Sequence, residues 1–372
     1  RKRIYKATMF EDMGFRYYGP IDGHDLRALT DALTVAKAHK HSVLIHINTV
    51  KGMGYRPAEK NPTQFHGIGK FDVNTGEPLS KGETFSSVFG NTVCDFAAKD
   101  ARICCVTAAM AAGTGLTRFA SEYPQRFFDV GIAEQHAVTF SAGLASQGKL
   151  PVFAVYSSFL QRSYDQLIHD CAIEKRHVVL GIDRAGFVGE DGETHHGLFD
   201  VAMLTTVPGV TVYSPSDTAE LSQCLEQALY KDKGVVAVRY PRGCELYRSG
   251  TKAYSDFRHV SNKSRKLIFT YGRISAYAYT IHGVDVLQAI KIFPIADEII
   301  DICLAYDEIY AFEEGEREGG IAQKLCTALA LAGFKGRFTI TAVDGFVRHA
   351  DVATQLHNAM LDADGMRKIT GE

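Results

Sequence analysis

Long apolar runs are missing from this 372-residue chain, and none approaches the roughly 20 residues a membrane-spanning helix needs. An excess of charge is missing too. With 41 Lys and Arg against 43 Asp and Glu, the formal net charge is −2, so no basic field draws in nucleic acid or an anionic membrane surface. The basic opening Arg1-Lys2-Arg3 leads into no apolar segment of the signal-peptide kind. No CxxC pair occurs, and most of the eight cysteines lie in apolar stretches such as Ile103-Cys104-Cys105-Val106. That excludes zinc-ligand spacing and implies buried, reduced thiols in a cytoplasmic-type compartment. The first residue is Arg rather than Met, as expected of a fragment or a processed end.

What is present is a steady alternation of helix and strand patterns. Residues 25–40 carry Leu26, Leu29, Leu33 and Ala36 at helical spacing, and Val43-Leu44-Ile45-His46-Ile47 reads as a buried strand. From 50 to 81, Gly, Pro and Asn are frequent and periodicity vanishes, which predicts a long irregular connection of a functional or linking kind. Thr84 is a candidate N-cap for a helix that buries Phe85, Val88, Phe89, Val93 and Phe96. Strands are expected at 102–107, 127–130, 152–156, 178–182, 210–213 and 235–240, with helices between most of them. The stretch 241–265 turns polar and reads as a linker. Alternation then resumes, with strands at 267–271, 284–290, 308–312 and 338–343 and helices at 296–304 and 320–332. The expectation is an α/β protein of doubly wound, mostly parallel sheets, divided at about 1–80, 81–245 and 255–372.

Polar signals crowd the ends of the predicted strands, where open α/β sheets bind ligands. In Phe128-Asp129-Val130-Gly131-Ile132-Ala133-Glu134-Gln135-His136 a strand runs through a glycine turn into a helix. Glu134 there either complements the helix dipole or bonds a ring nitrogen of a cofactor. In Tyr156-Ser157-Ser158-Phe159-Leu160-Gln161-Arg162 the aromatic and the guanidinium stand three apart on one helix face. They are a core Phe with a surface Arg, or a platform for a flat heterocycle beside an anion. The segment 183–197 holds four glycines, Asp191, and the adjacent His195 and His196. It reads as a binding loop with His195 as an acid–base or orienting group rather than a metal ligand. Arg239-Tyr240-Pro241-Arg242-Gly243 ends a further strand, and with Arg162 and Arg184 it supplies guanidinium forks for a phosphate.

At these residues the sequence resembles the 1-deoxy-D-xylulose-5-phosphate synthases, a family of transketolase-like thiamine-diphosphate enzymes. The resemblance rests on 127–139, 156–170, 183–197 and 239–243. Upstream it rests on Gly19-Pro20-Ile21-Asp22-Gly23-His24, Lys51-Gly52-Met53-Gly54-Tyr55 and Phe65-His66-Gly67-Ile68-Gly69-Lys70-Phe71. It implies a remnant of a diphosphate-binding domain (1–80), a pyrimidine-binding domain (81–245) and a transketolase C-terminal domain (255–372), in a homodimer of the cytoplasm or a plastid. By position it implies Glu134 as the carboxyl group bonding N1′ of the aminopyrimidine, Phe159 as the ring stacked on it, and Lys51 and Tyr55 as further cofactor contacts. Tyr156, Arg162, Arg184 and Arg242 match the residues that hold the phosphate of D-glyceraldehyde 3-phosphate. Asp191, His195 and His66 match polar groups facing the reacting carbonyls, the other substrate being pyruvate. The family's Gly-Asp-Gly motif, which with an Asn holds Mg²⁺ and the diphosphate, has no counterpart, since no Gly-Asp-Gly occurs in the sequence. The family's usual Pro-Gly-Gly turn reads Ala111-Ala112-Gly113. The expectation is an intact pyrimidine half-site, with the diphosphate half in a missing segment or on a separate N-terminal chain, and little activity in this chain alone. Two other readings stay open: a 2-oxoacid dehydrogenase β-type or other transketolase-like subunit completed by a second chain, and a non-catalytic binding module.

Overall fold

The computed structural model describes residues 8–62, 64–77, 79, 82–248, 250 and 253–372. The basic opening 1–6 lies outside them. The chain divides into two units, Arg1–Lys81 and Gly82–Glu372. In the first, β1 (Arg16–Asp22) and β2 (Val43–Asn48) pair in parallel. The helix Leu26–Ala38 joins them, and Asp25 caps it by accepting hydrogen bonds from the amides of Arg27 and Ala28. Its apolar stripe is only partly covered by the unit's described residues: Leu29 and Ala36 are half-buried, while Leu26 is 75% exposed. Among its described residues, the irregular stretch that follows contains a short α-helix, Arg56–Lys60, and a 3-10 turn, Gln64–His66.

The second unit holds β3 (Ile103–Thr107), β4 (Phe127–Asp129), β5 (Leu150–Tyr156), β6 (Val178–Asp183), β7 (Thr211–Tyr213) and β8 (Val235–Arg239). It continues with β9 (Phe257–Val260), β10 (Lys266–Tyr271), β11 (Asp285–Ala289), β12 (Lys291–Phe293), β13 (Glu308–Glu316) and β14 (Arg337–Val343). Seven strands form one sheet in the order β12-β7-β8-β6-β5-β3-β4, and five form a second in the order β14-β13-β10-β11-β9. Both are parallel except at one edge, where β12 runs antiparallel to β7 and β9 antiparallel to β11. The polar stretch read as a linker therefore contains an edge strand, β9.

Side-chain alternation along β5 explains why the first sheet is covered on both faces. Val152 and Ala154 point to one side, into a core built by Phe85, Phe89 and Val93 of helix Phe85–Lys99 and Leu221 and Leu225 of helix Thr218–Tyr230. Phe153 and Val155 point to the other, against Ala137 and Val138 of helix Glu134–Ser146 and Leu167. That second core continues without a break into Leu267, Phe269, Leu287 and Ile309 of the second sheet. Full burial of one such side chain is worth about 1.5–3 kcal/mol. Thr84 caps its helix as expected, in a reciprocal pair of hydrogen bonds with Ser87.

In the first sheet the chain passes from β3 to β4 on one side, then returns past β3 to β5 on the other. The carboxyl ends of β3 and β5 thus flank a topological switch point, the crevice where open α/β sheets take their ligands.

Candidate active site

Eight of the sequence-predicted residues meet at that crevice. Glu134 is the first residue of its helix and only 2% exposed. Its Oε1 accepts a hydrogen bond from Arg162 Nη1 at 2.5 Å. The Arg162 guanidinium lies over the Phe159 ring, 4.8 Å from its centre. Phe159 in turn stacks on Tyr156, with centroids 5.9 Å apart, and meets His195 edge-on at 5.1 Å. Tyr156 ends β5, and the Arg184 guanidinium lies over its ring, 3.7 Å from the centre. Arg184 Nε donates to Asp191 Oδ2 at 3.2 Å, and Arg242 Nε lies 3.4 Å from the same oxygen. Glu134, Arg162, Phe159, Tyr156, His195, Arg184, Asp191 and Arg242 thus form one unbroken series of contacts.

Three guanidinium forks were expected to share one phosphate. Arg184 and Arg242 do converge, on Asp191, while Arg162 is drawn to the carboxylate of Glu134 instead. Arg239, from the same motif as Arg242, is buried away from the crevice. It forks onto Asp200 at 2.9 and 3.2 Å.

Arg184 is held firmly. Its backbone sits at φ 63°, a left-handed conformation costly for any residue but glycine. Its Nη1 donates to the carbonyl of Gly113 and to Asp183 Oδ1, each at 3.0 Å. Burial works against its charge, but Asp183, Tyr156 and Asp191 outweigh that and hold its pKa above the ordinary value. Asp183 is fully buried at the end of β6, and burial pushes its carboxyl up to about 6. Arg184 and the Ser86 hydroxyl, which donates at 2.6 Å, pull the other way. Burial also raises the Tyr156 hydroxyl and lowers His196. Gly113 is needed for close approach: a Cβ there would lie 1.7 Å from Tyr156 Oη.

Asp183 and Ser86 were not singled out from sequence. The available signal is Asp183 itself, an acid closing the otherwise apolar strand Val178-Val179-Leu180-Gly181-Ile182 directly before Arg184. Ser86 carries none, because it reaches Asp183 across 97 residues.

Of the three candidates in the first unit, two meet. Lys51 Nζ is 2.8 Å from His66 Nδ1. The Tyr55 hydroxyl donates to the carbonyl of Val73 at 2.9 Å, and its ring packs on Phe65 and Phe71. Among the described residues no group of three or more His, Cys, Asp or Glu is placed to hold a metal ion.

Comparison with known proteins bears on this arrangement. The family description "Transketolase, pyrimidine binding domain" matches residues 82–245, and "1-deoxy-D-xylulose-5-phosphate synthase" matches 1–49. Curated proteins named 1-deoxy-D-xylulose-5-phosphate synthase are similar over much of the chain. The one from Pelotomaculum thermopropionicum is 43% identical over 371 residues, covering 95% of this chain and 58% of its own length. The one from Clostridium kluyveri is 49% identical over 282 residues, 75% of this chain and 45% of its own. The chain belongs to this family. It spans about half the length of the curated relatives it matches. A solved structure titled "Split gene transketolase, inactive beta4 tetramer" aligns with a TM-score of 0.66 at 21% identity, covering 76% of this chain and 96% of that one. That likeness shows a transketolase-like fold.

Proposed function

We propose that this chain provides the pyrimidine side of a 1-deoxy-D-xylulose-5-phosphate synthase site. The complete enzyme would decarboxylate pyruvate and transfer the two-carbon unit to D-glyceraldehyde 3-phosphate, the first step of a route to isoprenoids that also feeds thiamine and pyridoxal synthesis. The observation that carries the reading is the continuous contact series from Glu134 to Arg242 at the switch point of the larger sheet.

A buried carboxyl group, an aromatic plane and a guanidinium one turn away form a donor set suited to an aminopyrimidine. Thiamine diphosphate, when bound, supplies the electron sink that such a decarboxylation needs. Glu134 would hold a proton at N1′ of that ring, and Phe159 would fix the ring plane by stacking. Tyr156, Arg184 and Arg242 would clamp the phosphate of the acceptor, with Arg162 joining them once it leaves Glu134. Asp191, His195 and His66 would orient the reacting carbonyls and move protons there. Lys51 and Tyr55 would contact the cofactor from the first unit. Mg²⁺ and the diphosphate end would be held by residues outside these motifs, within a homodimer or on a second chain. The expected cellular site is the cytoplasm, or a plastid in a plant or alga.

The arginine cluster favours a phosphorylated aldehyde over a lipoyl group as acceptor, against the 2-oxoacid dehydrogenase reading. The test is an assay of the complete protein with pyruvate, D-glyceraldehyde 3-phosphate, thiamine diphosphate and Mg²⁺. CO₂ and a pentulose phosphate should appear together, and Glu134→Ala should abolish both. Failure of the wild-type protein to release either product would overturn the proposal. The 372-residue chain alone should bind the cofactor poorly, and calorimetry showing tight, Mg²⁺-dependent binding would contradict that.

A further inference from the structure

A second cavity, of about 670 Å³, opens at the carboxyl end of β14 and has no part in the site above. Its size falls within the range of small-molecule pockets. Phe187, Ile340, Val343, Val347 and Met360 give it an apolar body. Gln355 also lines it and is 2% exposed. The Gln355 amide is oriented by its nitrogen, which donates to the carbonyl of Arg348 at 3.0 Å and lies 3.3 Å from His196 Nε2. Its Oε1 is buried without a hydrogen-bond partner. Native proteins seldom leave a buried carbonyl oxygen unanswered, so this amide is under tension where the cavity wall meets His196.

Arg317 is neutralised by Asp344, with bonds of 2.6 and 3.0 Å, whereas Arg348 and His349 are exposed at the wall. The wall also adjoins the loop that carries Asp191 and His195. Gln355 touches His196, and a side chain at Gly189 would come within 3.1 Å of Val352.

We propose that this cavity is a binding site for a small organic anion. The ligand has an apolar body and an anionic group at Arg348. Through Gln355 and His196, occupancy bears on the loop of the catalytic half-site.

A suitable probe is 8-anilinonaphthalene-1-sulfonate, which combines an aromatic body, one N–H and a sulfonate. Fluorescence titration of the 372-residue chain should give one saturable site. Arg348→Glu, a change at an exposed position, should weaken binding on the order of tenfold, the size of one charge-assisted contact. Ala359→Phe, which fills the pocket, should remove it. Bound probe should also slow amide exchange of Val188, whose N–H faces His196 Nδ1 at 3.3 Å. Titration curves superimposable for the wild type, Arg348→Glu and Ala359→Phe would overturn the proposal, as would unsaturable uptake. Neither outcome touches the catalytic reading, because the probe reports on residues outside it.

Discussion

Gly113→Ala should damage the half-site through Tyr156 and through no other residue. The new methyl group would lie 1.7 Å from Tyr156 Oη, 2.8 Å from Cζ and 3.3 Å from Cε1. The ring cannot retreat freely, because Arg184 covers one face at 3.7 Å and Phe159 stacks at 5.9 Å. Overpacking of this kind costs about 1–3 kcal/mol, and displacing the guanidinium from the ring adds about 1 kcal/mol. A loss of about 2–4 kcal/mol is therefore expected, with the midpoint of urea unfolding moving to lower concentration and m unchanged. Tyr156→Phe deletes the atom in closest conflict, so Gly113→Ala should cost at least about 1 kcal/mol less in that background. Urea melts of the four proteins in the double-mutant cycle measure this coupling. If the two costs agree within about 0.5 kcal/mol, the methyl group acts elsewhere and the reasoning fails.

Three further outcomes are expected. Because the folded Asp183 carboxyl sits near 6 against an ordinary 3.8, the folded state keeps a proton that the unfolded state has lost. Stability should therefore fall as pH rises from about 4 to about 6, by up to about 3 kcal/mol, and urea midpoints of Asp183→Asn should lack that component. Glu314 pairs with Arg273 and accepts from the amide of Phe187 at 2.7 Å, all of it buried. Glu314→Ala should cost about 3–5 kcal/mol by stranding the guanidinium, read as a lower thermal midpoint, while Arg273→Met combined with Glu314→Leu should recover much of it. Of the eight thiols only Cys244 is exposed, while burial raises Cys94 to about 11 and Cys171 and Cys303 to about 12. One thiol should thus react quickly with a disulfide reagent at pH 8 in the native protein, and fast reaction of several would refute that burial.

The sequence carried the sheets wherever strands are buried on both faces, because a run such as Val178 to Ile182 admits little else. It concealed edges and acids. Strand β9, Phe257-Arg258-His259-Val260, is half polar, and among the described residues one of its edges pairs with nothing, so its composition is that of a connection. Strand β13 was expected to stop at Phe312, since Glu313-Glu314-Gly315-Glu316 looks like solvent-facing chain. Glu313 is instead buried, accepting from the Tyr271 hydroxyl and from the amides of Ile321 and Ala322 at the start of helix Ile321–Leu331. Those partners are distant or belong to the backbone, and neither leaves a trace in local periodicity. The contact cluster at the switch point was legible for a different reason: Glu134, Phe159, Arg184 and Asp191 lie within short motifs at strand ends, where chemistry and sequence neighbourhood coincide. Which acid each arginine meets was not legible, because that depends on how the sheet folds the motifs together.

The antiparallel strand β12 has a practical bearing on how the gene can be cut. Lys291–Phe293 occupies the flank of β7, although 45 other residues and three strands of the second sheet come between it and the last residue of the pyrimidine-domain match. A clone trimmed at that match would leave Thr211–Tyr213 with raw backbone amides and carbonyls along one side, an invitation to stick to its own copies. Expression of 82–245 should yield aggregates, and soluble protein should return only when the reading frame runs on past Phe293.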